Sequence, residues 1–183
     1  MARADARDNR ERILAVARDA LSESAGASLT SIARDAGVGI GTLYRHFPTR
    51  EALILELYNT HLQELVDLAP RLAQDHPPLV ALRLWFDEVA RYGRLKYGVA
   101  EVVHAATNGG LDDPFLEPFL DAIRMLLDAG ASAGELKDGI DSYDVLLQLG
   151  VLWRIPPDHG AERAARILDL LVDGLRTPRD DGH

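Results

Sequence analysis

Not one of the 183 residues is cysteine. That excludes disulfides, thiolate metal sites and cysteine nucleophiles, and is the habit of a cytoplasmic protein. No run approaches the roughly eighteen uninterrupted apolar residues of a membrane-spanning helix. No apolar stretch follows the polar N-terminus as a secretion signal requires. Lysine is nearly missing, at two against eighteen arginines, a bias that points to GC-rich coding rather than to a physical requirement. There is no strand-like alternation, internal repeat or low-complexity segment. The common signatures of catalysis are missing too: no nucleophile elbow, phosphate-binding loop, dinucleotide fingerprint or His-Glu-x-x-His zinc motif. His104, Asp112 and Asp113 gather near the Gly109-Gly110 break, but only in sequence. The chain therefore offers no catalytic residues, no cofactor and no metal set, and a small helical enzyme stays a remote alternative.

What is present is an apolar fraction of 47%, ample for a core, and a net charge of −9 that is unevenly spread. Residues 1–50 hold eight Arg against six Asp and Glu, or +2; residues 51–183 hold twelve basic against twenty-three acidic residues, or −11. A mildly basic head on an acidic body can present one face to a polyanion and hold the other away. Ordinary solvated charge explains the same counts.

Apolar periodicity predicts helices throughout. Ile13, Leu14, Ala17, Ala20 and Leu21 form one stripe of a helix over about 9–24. Ser28 is placed to cap a second helix, carried by Leu29, Ile32, Ala33 and Ala36 and ended by Gly37. A third, Ile40 to Phe47, is stopped by Pro48, and Thr49 opens a fourth to about Leu68. A linker-like break follows through Pro70 and 73–78. Further helices are expected at 79–92, 95–106, 115–129, about 141–153, and from a cap at Asp158 to about Leu175. Pro118 belongs in or near a first turn. The fold class is all-α: a three-helix head over 1–48, and a larger helical domain over 49–183.

The third helix is the most telling. Leu43 and Phe47 lie four apart and share a face, while Thr42, Tyr44, Arg45 and His46 point elsewhere, and each of these four can donate a hydrogen bond to phosphate or a base edge. Gly39 and Gly41 suit a backbone that approaches phosphate closely. Two short helices about a glycine turn form a helix-turn-helix, whose second helix can enter a DNA major groove. A buried helical corner accounts for Leu43 and Phe47 but not for the polar set. Arg3, Arg7, Arg10 and Arg12 could add phosphate contacts, or Arg3 and Arg7 could belong to a loose tail.

AGVGIGTLYRHF followed by TREAL resembles the DNA-binding signature of the TetR family of transcriptional regulators, over roughly residues 10–58. The resemblance implies that Thr42, Tyr44 and His46 touch phosphates or base edges, and that Ser28 and Thr30 contact the backbone from the preceding helix. Arg50 stands where the family usually has a phosphate-binding Lys, and Gly39 where Ser is commoner. Arg45 either reads guanine through two hydrogen bonds or meets phosphate only.

For the larger domain the resemblance implies a homodimer formed by the last two helices, through Leu146, Leu149, Trp153, Ala164, Ile167, Leu168, Leu171 and Leu175. Intramolecular core is the competing reading for any one of them. It also implies a pocket for a small apolar or aromatic effector among Trp85, Phe86, Val89, Tyr92, His104, Phe119, Met125 and Ile123, which could equally be core. His61 and Glu64, three apart, are either a metal pair or a surface pair. The function expected is a repressor that binds a pseudo-palindromic double-stranded operator as a dimer and is released by a small molecule. The alternative is a DNA-binding regulator that recruits a protein partner without any small ligand.

Overall fold

The computed structural model describes residues 2–24, 26–97, 114–155 and 160–178. Within them lie α1 (Ala2–Glu23), α2 (Leu29–Asp35), α3 (Ile40–His46), α4 (Arg50–Asp75), α5 (Pro78–Tyr97), α6 (Leu116–Ser132), α7 (Ser142–Leu149), a 3-10 turn (Gly150–Arg154) and α8 (Gly160–Leu175). Among the described residues the only extended pairing is one isolated antiparallel bridge, Leu136 to Arg176. The architecture is all-α, as expected.

The chain divides into two compact units. One takes the described residues up to Thr60; the other takes His61–Tyr97 and the described residues from 114 onward. The division falls inside α4, whose first turns pack into the head.

In the first unit, α2 is bounded as its sequence requires. Ser28 is extended (φ −83°, ψ 150°), and its hydroxyl oxygen accepts from the Ser31 amide at 3.1 Å. At the other end Gly37 takes a positive φ of 66°. The Val38 amide reaches back to the Ala33 carbonyl at 2.9 Å and the Gly37 amide to Arg34 at 3.0 Å, the paired closure of a Schellman end. Ile13, Ala17, Leu21, Ile32, Ala36, Leu43, Phe47 and Leu53 are buried together, with Ile13, Ala17, Ile32, Leu43 and Leu53 fully so. Val38, next along the chain from Gly37, is only half-buried. The Arg10 guanidinium lies 5.7 Å over the Phe47 ring and pairs with Glu56. This joins α1, the end of α3 and α4.

In the second unit α4 continues through Pro70 to Asp75, where the sequence signals a break. A proline frees the carbonyl four residues back and disturbs its neighbours. Carbonyls on both sides of that position receive side-chain donors: Trp85 Nε1 donates to the Leu65 oxygen at 2.8 Å, and Arg71 Nε to the Asp67 oxygen at 3.0 Å. The donor from Trp85 comes twenty residues later in the chain, so local sequence does not announce it. Likewise α5 runs past Tyr92 and Gly93 to Tyr97, and most of the helix expected at 95–106 lies outside the described residues. Pro118 sits in the first turn of α6, as expected.

The segment after α6 holds two helix ends. The Glu135 carboxylate accepts from the Leu79 amide at the start of α5 at 2.9 Å, and Lys137 Nζ donates to the Gly174 carbonyl near the end of α8 at 2.6 Å. Each charge has the sign that complements the helix terminus it meets. Arg83 joins α5 to α8 by pairing with Asp169, and holds Asp87 at 3.1 Å. Burial works against its charge, but the hydrogen bonds to Asp169 and Asp87 outweigh this and raise its pKa above the ordinary arginine value.

Candidate nucleic-acid interface

The α3 helix is built to expose one face. Leu43 and Phe47 anchor it in the head's core, and the Phe47 amide closes its last turn on the Leu43 carbonyl at 2.8 Å. That leaves Ile40, Gly41, Tyr44 and Arg45 outward, with Thr42 and His46 on the half-buried flank. Tyr44 keeps 49% of its surface exposed and Ile40 41%. Ile40 is not among the site residues expected from the sequence. Its spacing, three before Leu43 and seven before Phe47, groups it with the buried face, so periodicity gives no signal of its exposure.

Arg45 lies back along its own helix: Nε donates to the Gly41 carbonyl at 3.2 Å, and Nη2 to Thr42 Oγ1 at 3.1 Å. Both contacts are exposed and local, so they cost little to exchange for an external acceptor. A Cβ built on Gly41 would meet nothing within 4 Å, and one on Gly39 only Thr42 Oγ1 at 4.0 Å. Packing among the described residues therefore does not demand glycine at either place. Gly39 stands at the N-cap of α3 and supplies no side-chain cap.

The remaining residues of the set are spread around α2. Thr30 is exposed on its first turn. Ser28 is exposed too, but its hydroxyl is engaged with Ser31: it accepts from the Ser31 amide and donates to Ser31 Oγ at 3.1 Å. Arg50 donates to the Ala27 carbonyl, just before that cap. Arg50 thus ties the start of α4 to the entry of α2. Arg7 pairs with Glu11 and Arg12 with Asn9.

In the second unit, Trp85, Phe86, Val89, Tyr92, Phe119 and Ile123 are all buried, with the Trp85 and Phe119 rings 5.0 Å apart at 47°. Met125 is half-buried, and His104 lies outside the described residues. His61 stacks on Tyr92 at 4.7 Å and has Glu64 at 3.3 Å from Nδ1. No group of three or more His, Asp or Glu among the described residues could hold a metal ion.

The final helices divide the residues expected at an interface. Leu149 and Leu168 have no exposed surface, and Ala164 and Leu175 have little. The chain's own core already takes these side chains. Leu146, Ile167 and Leu171 are half-buried, and the Trp153 side chain lies outside the described part. The outward apolar residues are others: Tyr143, Leu147 and Val151 at intervals of four, and Leu170, which is 75% exposed. No helix among the described residues is long and apolar enough to cross a membrane.

A helix-turn-helix with an exposed polar and aromatic second helix, followed by a second helical unit, defines a DNA-binding regulator of transcription. Residues 13–57 match the model for bacterial regulatory proteins of the TetR family, and residues 77–177 the model for the C-terminal domain of SbtR-like transcriptional regulators. The crystal structure of a TetR transcriptional regulator from Streptomyces coelicolor is 40% identical; the match covers 91% of this chain and 98% of that one, with a TM-score of 0.77. A TetR transcription regulatory protein from Mycobacterium vanbaalenii is 30% identical over 97% and 100% of the two chains, with a TM-score of 0.75. An HTH-type transcriptional regulator of Staphylococcus aureus (strain USA300) is 35% identical over 74 residues, which are 36% of this chain and 40% of that protein. The chain thus spans about two-fifths of the length of the curated relatives it matches. The chain belongs to the TetR family of transcriptional regulators, and its helix-turn-helix is that family's DNA-binding domain.

Proposed function

We propose that the protein is a ligand-responsive repressor that binds a pseudo-palindromic operator as a homodimer and is released by a small apolar or aromatic molecule. The observation that carries the DNA half of the reading is the exposed face of α3. Ile40, Tyr44 and Arg45 stand outward there beside a glycine that internal packing does not require. Thr30, Thr42, His46 and Arg50 supply phosphate contacts around it, with Ser28 setting the start of α2.

The dimer is supported by the outward apolar residues of the last helices. Leu170 at 75% exposed and Leu147 at 57% are costly to leave in water, and a second copy of the same face covers them by two-fold symmetry. Two α3 helices then read half-sites one helical turn of DNA apart, about 34–36 Å, or a multiple of it. The effector site is assigned to the aromatic cluster of α5 and α6, Trp85, Phe86, Val89, Tyr92, Phe119 and Ile123, with His61 as a polar neighbour of Tyr92. An effector acts only through different affinities for the DNA-bound and released arrangements.

The test is selection of genomic fragments by the full chain, footprinting of the bound site, and a small-molecule screen for release. Two protected half-sites and a releasing apolar compound are expected. A single unpaired footprint would contradict the dimeric operator. Compounds that bind the protein without changing its DNA affinity would contradict ligand-controlled release.

A further inference from the structure

Ile40 and Tyr44 are the two large apolar side chains left exposed on the first unit among its described residues. They stand one turn apart on the same face of α3. Tyr44 carries a hydroxyl and can serve phosphate or a base edge. Ile40 has no hydrogen-bonding atom, so its exposure has no polar use. Nor does helix propensity ask for it, since isoleucine ranks below alanine, leucine and the straight-chain polar residues.

We infer that Ile40 is a specificity-determining residue that packs on the 5-methyl group of a thymine in the major groove. The inference rests on the reading of α3 as the DNA-reading helix. On the major-groove edges of the four bases, the 5-methyl of thymine is the one apolar group; every other distinguishing feature is a hydrogen-bond donor or acceptor. A purely apolar side chain on the reading face therefore discriminates through that methyl. Gly41 follows Ile40 on the exposed face, and its missing side chain leaves open space. The helix can thus come close enough for the branched side chain to reach a base edge. Arg45, one turn beyond Gly41, supplies the polar reading beside it.

The experiment uses the full chain and double-stranded DNA selected by it from a random-sequence pool. Each thymine of the selected site is replaced in turn by deoxyuridine, which keeps base pairing and removes only the methyl group. Affinity is followed by fluorescence anisotropy. For the wild-type protein, one thymine position per half-site should weaken binding by about fourfold on replacement, the value of one buried methyl group. Ile40→Ala should bind thymine and deoxyuridine at that position alike, while Ile40→Val should retain most of the difference. Both variants should melt like the wild type, since the side chain is not part of the core. A wild-type protein indifferent to every replacement, or an Ile40→Ala protein that keeps the same sensitivity, overturns the inference. The same DNA is titrated with Tyr44→Ala and Arg45→Ala. If these bind at wild-type strength, the reading of α3 itself has failed; if they lose affinity while Ile40→Ala keeps its deoxyuridine sensitivity, only the methyl contact has failed.

Discussion

Gly41 and Gly130 show how the same residue type serves opposite ends. A Cβ on Gly130 would lie 2.3 Å from Leu136 Cδ1 and 2.6 Å from Leu136 Cγ, so that glycine makes room for the chain's own core. Gly130→Ala should lower stability by roughly 1–3 kcal/mol, the usual cost of overpacking, as read by urea denaturation. Gly41 lies inside a helix and faces open space. Gly41→Ala should raise stability by up to about 1 kcal/mol through helix propensity, seen as a higher melting temperature, and should at the same time weaken DNA binding by keeping the backbone away. A variant that gains stability and keeps its affinity would show that the backbone does not approach DNA there. The sequence shows both glycines but not which one has a neighbour, because Leu136 meets Gly130 only after the turn at Gly134 folds back.

At the scale of the element, α8 shows what periodicity can and cannot tell. Ala164, Leu168, Val172 and Leu175 form one buried face, while Ile167, Leu170, Leu171 and Gly174 form the one beside it. The sequence presents Ala164, Ile167, Leu168, Leu171, Val172 and Leu175 as a single wide stripe, since apolar residues look alike whether their own chain or a partner covers them. The distinction sets the mutations apart. Leu168→Arg forces a charge into a filled core and should unfold the second unit, because an unpaired buried charge costs several kcal/mol. Leu170→Arg should keep native helicity by circular dichroism and shift sedimentation from dimer to monomer. A folded Leu170→Arg protein that remains fully dimeric would remove this face from the interface. The α4 helix makes a related point. Pro70 announces a break that does not occur, and the donor that Trp85 brings to the neighbouring Leu65 carbonyl depends on tertiary contact. By contrast, α2 was legible to its ends, because Ser28 and Gly37 act within a few residues of themselves.

At the scale of the whole molecule, the all-α class and the reading head followed from local signals. Capping residues, glycine turns and the Leu43–Phe47 anchor all act over short distances. The placement of the second unit's residues did not follow so fully, because burial there depends on which helices meet. The charge distribution bears on function as a whole: a head of +2 in a chain of −9 favours DNA contact through the head. Binding should weaken steeply with salt, since each phosphate contact releases counterions. The most direct test of the central claim is the affinity of Tyr44→Ala and Arg45→Ala for the selected operator, measured across salt beside melting and sedimentation. Both side chains are exposed on α3, so melting temperature and oligomeric state should stay those of the wild type while affinity falls by tenfold or more, the ~1.4 kcal/mol of a lost polar contact. Wild-type affinity in both variants would contradict the assignment of α3 as the reading helix.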